Sequence, residues 1–202
     1  MKLYYSPGAC SLSSHIVLNE AGLAFDAETV DLGAKKTKSG ADYKAINPKG
    51  AVPALQLDNG QVLTEGSAIV QYLADQKPAT KLAPAAGTME RYRLQEWLNY
   101  IASEVHKGFS PLFNPKATDE WKQVVKDNLG AKFDYLSKQL QGKDYLMGAF
   151  NVADAYLFTI LSWSKYMNID LAKWPALAQY MERVGARPAV KATLEAEAKA
   201  KA

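Results

Sequence analysis

The sequence predicts a two-domain protein, an α/β domain followed by an all-helical bundle, on the strength of three observations. Up to about residue 77, short strand-like runs alternate with segments of helical spacing. Residues 78–88 are rich in proline, alanine and threonine, as an interdomain linker often is. Beyond them, only helical spacing is found. The chain of 202 residues is long enough for two units, and we expect a domain at 1–80, a linker at 81–88 and a helical domain at 89–202.

The first half opens with a strand, a helix and a second strand. Residues 2–5 have a strand-like pattern, which the Pro-Gly pair at 7–8 breaks. Residues 11–21 have helix-forming composition and spacing, and Gly22 acts as a stop. Residues 25–32 predict the second strand, which completes a βαβ unit.

The remainder of this half predicts a helical turn, a hairpin and a helix. Residues 33–40 form a polar, basic loop, and a short helical piece follows at 42–45. Residues 54–57 and 61–63 flank Asp-Asn-Gly, which is a strong signal for a β-hairpin turn. A helix is expected over 66–75. The order βαβ-α-ββα describes a small mixed sheet with helices on its faces.

The second half contains no strand pattern. Helical spacing recurs over residues 89–107, 119–141, 152–166 and 175–185. Asn151 and Asp154 have the spacing of a capping box, and the apolar segment after them predicts a buried central helix. Residues 195–202 are expected to fray as a tail.

Composition and charge exclude several classes of protein. Hydrophobic residues make up 48% and charged residues 22%, and no window approaches the ~18 consecutive apolar residues of a membrane span. One cysteine excludes an internal disulfide framework, and with two histidines no metal site is expected. The net charge is +3 with scattered lysines, which does not favour nucleic-acid binding. Because the amino terminus also lacks a secretory signal, we expect a soluble cytoplasmic protein.

The single cysteine, Cys10, lies where the first strand leads into the first helix. The unpaired N–H groups and positive dipole end of a helix favour a thiolate there. An ordinary thiol with a pKa of ~8.5 is only about 3% ionised at pH 7, and lowering its pKa by ~2 units would stabilise the anion by about 2.7 kcal/mol. The alternative interpretation is that Cys10 is a small buried hydrophobic residue.

A polar stripe follows one face of the helix predicted at 89–107. Glu96, Asn99, Ser103 and His106 recur at spacings of 3, 4 and 3. Such a stripe commonly faces water, but a histidine beside a thiol can also hydrogen-bond the sulfur or act as an acid or base. His15, inside the first helix, is interpreted as structural or surface.

Several separated blocks of sequence follow one another along the chain. They are Tyr5-Ser-Pro-Gly-Ala-Cys-Ser-Leu-Ser, Ile46-Asn-Pro-Lys-Gly, Val52-Pro53, Leu63-Thr-Glu-Gly, Glu96-Trp-Leu-Asn, Ser103-Glu-Val-His-Lys and Val152-Ala-Asp-Ala-Tyr-Leu-Phe. Taken in this order, the blocks resemble the bacterial beta-class glutathione transferases, whose first domain is thioredoxin-like. The resemblance runs along essentially the whole chain.

The resemblance implies that glutathione is the co-substrate, with no tightly bound cofactor. Cys10 would contact the glutathione sulfur and form a mixed disulfide with it, with Ser11 as a helper and His106 in an auxiliary catalytic role. Tyr5 and Ser11 stand where other branches of the superfamily place their thiolate-stabilising residue, and Cys10 is preferred over Tyr5. The expected glutathione-binding residues are Lys35, Val52, Pro53, Glu65, Gly66, Asn99, Ser103 and Glu104.

Physical chemistry gives each of these binding roles a basis and, in several cases, an alternative. Pro53 would be cis, leaving the Val52 peptide groups to pair with glutathione as an added strand, whereas an ordinary edge-strand proline is the simpler interpretation. Glu65 would bind the γ-glutamyl ammonium, and the Gly66 N–H the neighbouring carboxylate. Many glutathione transferases have serine where this chain has Gly66, so a contact from Ser67 stays open. Lys35 would bind the glycyl carboxylate, or be a solvated loop lysine.

The implied function is conjugation of reduced glutathione to hydrophobic electrophiles, by a homodimer. The electrophile site would be lined by the first loop, residues 109–113 and the helix from Val152. Cys10-Ser-Leu-Ser13 also fits a one-cysteine thioredoxin-type motif, so glutaredoxin-like thiol–disulfide exchange or peroxidase activity is an alternative. A third hypothesis is a non-catalytic module that binds glutathione or another ligand.

Overall fold

A computed structural model describes residues 1–201 of the chain, so Ala202, the end of the predicted tail, lies outside the described residues. The described residues divide into two compact units. One unit comprises Met1–Ala83 together with the residues from Ala186 onward, and the other is Pro84–Gly185. The expected helical domain at 89–202 therefore differs from the structure, which groups its last helix with the α/β unit.

The first unit contains a five-stranded sheet with the order β3-β2-β1-β4-β5. Its strands are β1 (Lys2–Tyr5), β2 (Asp26–Asp31), β3 (Lys36–Thr37), β4 (Ala54–Gln56) and β5 (Val62–Thr64). β1 and β2 run parallel and the other neighbours are antiparallel, which confirms the predicted βαβ and hairpin units. The short β3 was not predicted, because two residues within a polar, lysine-rich loop carry no alternation.

Three helices of this unit lie close to their predicted positions: α1 (Leu12–Glu20), α2 (Tyr43–Ile46) and α3 (Gly66–Gln76). Residues that are fully buried in the sheet and in these helices form the core, including Leu3, Ile16, Leu55, Ile69 and Leu73. α1 begins two residues after Cys10, so the core packing of β1 and α1 fixes the position of the cysteine between them.

The second unit is entirely helical among its described residues, as predicted. Its α-helices are α4 (Met89–Tyr100), α5 (Lys107–Phe109), α6 (Asp119–Leu140), α7 (Val152–Leu161), α8 (Trp163–Tyr166) and α9 (Pro175–Gly185). A π-helical turn, Ile101–His106, separates α4 from α5, so the continuous helix predicted over 89–107 is interrupted. Among residues 1–201, no helix is both long and apolar enough to cross a membrane.

The predicted capping box at the start of α7 is confirmed. The Asn151 side chain accepts a hydrogen bond from the Ala153 N–H, and Asp154 accepts one from the Asn151 N–H. Asp154 is completely buried and also accepts from the Leu146 N–H and the Tyr180 hydroxyl. All ten residues of α7 are buried, so this helix is the central element of the unit.

The prediction of a fraying tail is wrong, because residues 195–201 belong to a last helix, α10 (Pro188–Lys201). Glu197 is only 4% exposed and packs α10 against the first unit's own helix α1. Its carboxylate lies 2.9 Å from His15 Nδ1 and accepts a hydrogen bond from the Gly8 N–H at 2.8 Å. The alternating Ala, Glu and Lys of the tail carry no apolar stripe, so the sequence did not indicate that this segment docks as a helix.

Candidate functional site

Cys10 lies in the turn between β1 and α1 and is partly buried. Its thiol donates a hydrogen bond to the Val52 carbonyl oxygen, with Sγ 3.0 Å from that oxygen. The two residues are 42 positions apart, so the fold brings the thiol to the segment that precedes β4. A partly exposed thiol beside a helix start is not the fully buried hydrophobic residue of the alternative interpretation.

Neighbouring serines hold the cysteine turn in place. The Ser11 hydroxyl accepts from the Ser6 N–H at 3.1 Å and donates to the Ser6 carbonyl at 3.2 Å, and Ser11 is completely buried. The Ser13 hydroxyl donates to the Cys10 carbonyl at 2.7 Å. Ser11 therefore closes the turn around Cys10, and a direct contact of its hydroxyl with a ligand sulfur stays a prediction.

Tyr5, the alternative thiolate stabiliser, is buried at the end of β1. Its ring packs edge-on against His15 with the centroids 5.2 Å apart. Burial raises the pKa of the Tyr5 hydroxyl, and the nearby Glu197 carboxylate adds to the effect. His15 is itself buried between Tyr5, Phe25 and Glu197, so it is structural rather than a surface residue.

The Val52–Pro53 peptide bond is cis, as the resemblance implies. Val52 is 7% exposed, and its amide N–H has no acceptor among the described residues, while its carbonyl is occupied by the Cys10 thiol. An extended peptide that adds to a sheet pairs with backbone N–H and C=O groups of this kind. Gly66 lies close by, since a Cβ at that position would be 4.0 Å from Pro53 Cγ.

Lys35 is fixed to the segment that leads to Val52. Its Nζ donates to the Gly50 carbonyl at 2.8 Å, and its backbone has a left-handed φ of 56°. Its neighbours Lys36 and Lys38 are exposed, whereas Lys35 is partly buried. The interpretation of Lys35 as a freely solvated lysine therefore does not fit its contacts.

The beginning of α3 presents a group of polar atoms. Glu65, the residue before the helix, has a left-handed φ of 73°, which is rare for a side chain other than glycine. Its carboxylate pairs with Lys49, whose Nζ also donates to the Thr64 hydroxyl. The Ser67 hydroxyl in the first turn is buried and has no hydrogen-bond partner among residues 1–201. It therefore keeps its hydrogen-bonding capacity at the start of α3.

The glutathione-binding residues predicted in the helical half of the sequence lie in the unit Pro84–Gly185. Ser103 and Glu104 stand in the π-helical turn, where the Ser103 hydroxyl donates to the Asn99 carbonyl and Glu104 pairs with Lys132. Ser103 and Glu104 line a cavity of about 590 Å³ in this unit, together with residues that include Lys107, Trp121 and Lys132.

The predicted polar stripe is only partly present. Glu96, Asn99 and Ser103 are exposed, but the His106 ring is half-buried. A π turn contains more residues than an α turn, so α-helical spacing does not carry across Ile101–His106. His106 consequently leaves the exposed stripe on which the sequence placed it.

His106 is held by two aromatic side chains of its own unit. Its Nδ1 lies 2.7 Å from the Tyr156 hydroxyl, and its ring packs edge-on against Trp163 with the centroids 5.0 Å apart. Burial, with a smaller contribution from the Lys107 charge, lowers the pKa of His106 to about 4. The imidazole is therefore neutral at neutral pH, with one ring nitrogen that accepts a hydrogen bond and one N–H that donates.

The structure thus brings Cys10 to Val52, Lys35 to the same segment and Gly66 beside Pro53, all within the first unit. Sequence reasoning missed Lys49 and Tyr156, although both stand inside the quoted blocks. It also missed Glu197, for which the sequence offered no signal, because a glutamate among alanines and lysines is ordinary for an exposed helix.

Comparison with known proteins gives a consistent result over both halves. Residues 8–76 match the family model described as the glutathione S-transferase N-terminal domain, and residues 100–188 match that of the C-terminal domain. Glutathione S-transferase GstA of Escherichia coli O157:H7 is 48% identical over 198 residues, or 98% of both chains.

Solved structures agree with this. The structure described as a ternary complex of BphK, a bacterial GST, has a TM-score of 0.96 at 58% identity, covering 98% of this chain and 100% of that one. A sphingomonad glutathione S-transferase complexed with glutathione has a TM-score of 0.95 at 49% identity, covering 98% and 99%. The bacterial beta-class enzyme of Sphingomonas chungbukensis has a TM-score of 0.95 at 48% identity, covering 98% of each chain. The chain therefore belongs to the glutathione S-transferase family, among its bacterial beta-class members.

Proposed function

We propose that this glutathione transferase binds reduced glutathione along Val52 and conjugates it to hydrophobic electrophiles, with Cys10 at the ligand sulfur. The observation that carries the proposal is the Cys10 thiol 3.0 Å from the carbonyl of Val52, the residue whose N–H has no acceptor among the described residues. The sphingomonad relative complexed with glutathione supports the choice of ligand.

Glutathione would pair with the backbone of Val52, in the segment that precedes β4. Its cysteinyl N–H and C=O would pair with the Val52 C=O and N–H, as a short added strand does. The same Val52 oxygen accepts from Cys10 when no ligand is bound, so the ligand N–H would compete with the thiol for it. This pairing would direct the glutathione sulfur toward Cys10.

The two charged ends of glutathione would meet matching groups on either side. The Glu65 carboxylate would take the γ-glutamyl ammonium, exchanging its ion pair with Lys49 for one with the ligand. The Gly66 N–H and the buried, unpartnered Ser67 hydroxyl would receive the adjacent carboxylate at the start of α3. Lys35 would bind the glycyl carboxylate.

The protein would accelerate conjugation by stabilising the thiolate of bound glutathione and holding it for attack on the electrophile. The attacking sulfur forms the new bond to carbon, and the leaving group departs with the electron pair of the broken bond. For Ser11 and His106 we propose auxiliary catalytic roles, and for Asn99, Ser103 and Glu104 roles in binding glutathione. Residues 109–113 and α7 would contribute to the electrophile site.

A mixed disulfide with Cys10 would form by attack of the Cys10 thiolate on glutathione disulfide, which releases one glutathione thiolate. Wild-type protein treated with glutathione disulfide should gain a single glutathione adduct, measured by intact-mass analysis. The Cys10→Ala variant should gain none, and a Ser13→Ala variant, which keeps the thiol, serves as the control. An adduct that persists in Cys10→Ala would remove Cys10 from this role.

The balance between conjugation and redox chemistry can be measured on one preparation. Conjugation of a chloronitroaromatic compound should exceed reduction of a glutathione mixed disulfide. Dominant disulfide reduction would instead favour the glutaredoxin-like alternative, and failure to bind immobilised glutathione would favour a non-catalytic module.

We also propose a cytoplasmic homodimer that acts in detoxification. The lone thiol suits a reducing compartment. Two large side chains on the first turns of α4, Met89 and Tyr92, are 65% and 57% exposed, which suits a contact with a second copy. Light scattering should give twice the mass of the chain, and a monomeric mass would contradict the proposal.

A further inference from the structure

The hydrogen bond between His106 and Tyr156 joins a π-helical turn to the α-helix α7 within the unit Pro84–Gly185. His106 is the last residue of the π-helical turn Ile101–His106, and Tyr156 lies on α7. Their rings are perpendicular, with an interplanar angle of 86°, and the Tyr156 hydroxyl lies 2.7 Å from Nδ1. One atom of the histidine is therefore fixed by a residue that sequence reasoning did not assign to the site.

Tyr156 is a rigid anchor for this bond. It is 4% exposed and belongs to a helix whose ten residues are all buried. The helix is capped at its start by the Asn151–Asp154 box, which fixes the position of its first turns. Trp163, which packs against Phe109 and Phe113, contacts the imidazole ring edge-on. The ring of His106 is consequently held on two sides, while its Nε2 has no hydrogen-bond partner among the described residues.

The chemistry of the pair favours one of the two tautomers that the contact between Nδ1 and the Tyr156 hydroxyl allows. A phenol O–H is a good donor to an unprotonated imidazole nitrogen, and a neutral imidazole carries only one N–H. When Nδ1 accepts from Tyr156, the ring proton is on Nε2. Burial keeps the ring neutral, since it lowers the pKa of His106 to about 4.

We propose that Tyr156 is a positioning residue that holds Nδ1 of His106 as an acceptor, so that Nε2–H is the donor that His106 offers to a bound ligand. The role of His106 in the reaction rests on the proposed function, whereas the tautomer and its dependence on Tyr156 do not.

The Tyr156→Phe variant separates positioning from packing, because phenylalanine fills the same space and lacks only the hydroxyl. Long-range proton–nitrogen NMR on nitrogen-15-labelled protein without glutathione reads the tautomers directly. The chain has two histidines, so His15, which bonds Glu197 in the other unit, serves as an internal reference. We expect wild-type His106 to show a protonated Nε2 and an acceptor-type Nδ1, and Tyr156→Phe to show a mixture of tautomers. An unchanged His106 pattern in the variant, or a protonated Nδ1 in the wild type, would overturn the proposal.

Kinetics supply the second readout. We expect Tyr156→Phe to lower kcat for conjugation about tenfold without changing the KM for glutathione, which corresponds to about 1.4 kcal/mol of transition-state stabilisation. Combined with His106→Gln, it should cause no further loss, since both changes disable the same group. Tyr166→Phe, at an exposed tyrosine in the same unit, is the matched control. Additive losses in the double variant would overturn the proposal, while absence of conjugation in the wild type with the expected NMR pattern would count against the proposed function alone.

Discussion

At the scale of single residues, Glu65 combines an unusual backbone with an exposed charge. A left-handed φ in a residue other than glycine costs on the order of 1–3 kcal/mol and persists where the surrounding structure enforces it. The side chain of Glu65 is 68% exposed and pairs with Lys49 at the surface. A surface ion pair of this kind adds little to stability, so it does not by itself account for the strained geometry, whereas the proposed recognition of a ligand ammonium would.

The Glu65→Gln variant should bind glutathione about tenfold more weakly, a loss of about 1.4 kcal/mol, because the amide keeps the shape and removes the charge. Thermal stability should be unchanged, since only a surface ion pair is lost. Calorimetric titration with glutathione measures the first effect, and Glu182→Gln, an exposed glutamate on α9, is the control. An unaltered Kd would show that Glu65 does not bind the ligand ammonium.

At the scale of elements, α10 is the part of the first unit that is most distant in sequence from its contacts. Glu197 reaches both the turn before Cys10, through the Gly8 N–H, and the middle of α1, through His15. Arg187 pairs with Glu20, and the Asn19 side chain donates to the Thr193 hydroxyl, so polar contacts run along both helices. The Cys10 turn is therefore braced from α10 as well as by Ser11.

Replacing Glu197 by alanine should lower the free energy of unfolding by about 3 kcal/mol, because a buried His15 ring nitrogen and the Gly8 N–H would lose their acceptor. Urea unfolding measures the change. Glu195→Ala, two residues earlier on the exposed face of α10, should change the stability by less than about 0.5 kcal/mol. Equal effects of the two substitutions would mean that the Glu197 contacts contribute nothing to stability.

At the scale of the whole molecule, the chain carries separate natural probes for its two units. The single cysteine lies in the first unit, and all four tryptophans, Trp97, Trp121, Trp163 and Trp174, lie in Pro84–Gly185. Because Cys10 is already partly exposed in the folded protein, an increase of its labelling rate above the folded-state value reports on opening of the α/β unit. Tryptophan fluorescence reports on the helical unit.

In Glu197→Ala, the urea concentration at which the labelling rate of Cys10 rises above its folded-state value should fall, because every interaction removed lies within the first unit. The urea midpoint of the tryptophan fluorescence transition should fall by no more than this labelling midpoint. Parallel labelling and fluorescence titrations of wild type and variant measure both. The assignment of the Glu197 contacts to the first unit would be contradicted if the urea midpoint of tryptophan fluorescence fell while the urea midpoint of Cys10 labelling stayed unchanged.

Much of the fold followed from local patterns. The Pro-Gly break before Cys10, the Asp-Asn-Gly hairpin turn and the Asn151–Asp154 box are short-range signals, and each is observed where it was expected. Predicted boundaries differ by a residue or two, as at α1 and β5, because helix and strand ends depend on capping and pairing partners. The interruption of 89–107 by a π turn was not predicted, since the helical spacing of the sequence continues through Ile101–His106.

The sequence by itself determined the α/β-then-helical order, the place of the lone thiol before a helix, and the residue types from which the family could be identified, because these depend on spacing along the chain. Only the tertiary structure decided that Cys10 donates to Val52, that Glu197 is buried against His15, and that His106 turns from the exposed stripe to Tyr156. These pairs are 42, 182 and 50 positions apart. Their partners are selected by the packing of whole elements, which no local pattern encodes.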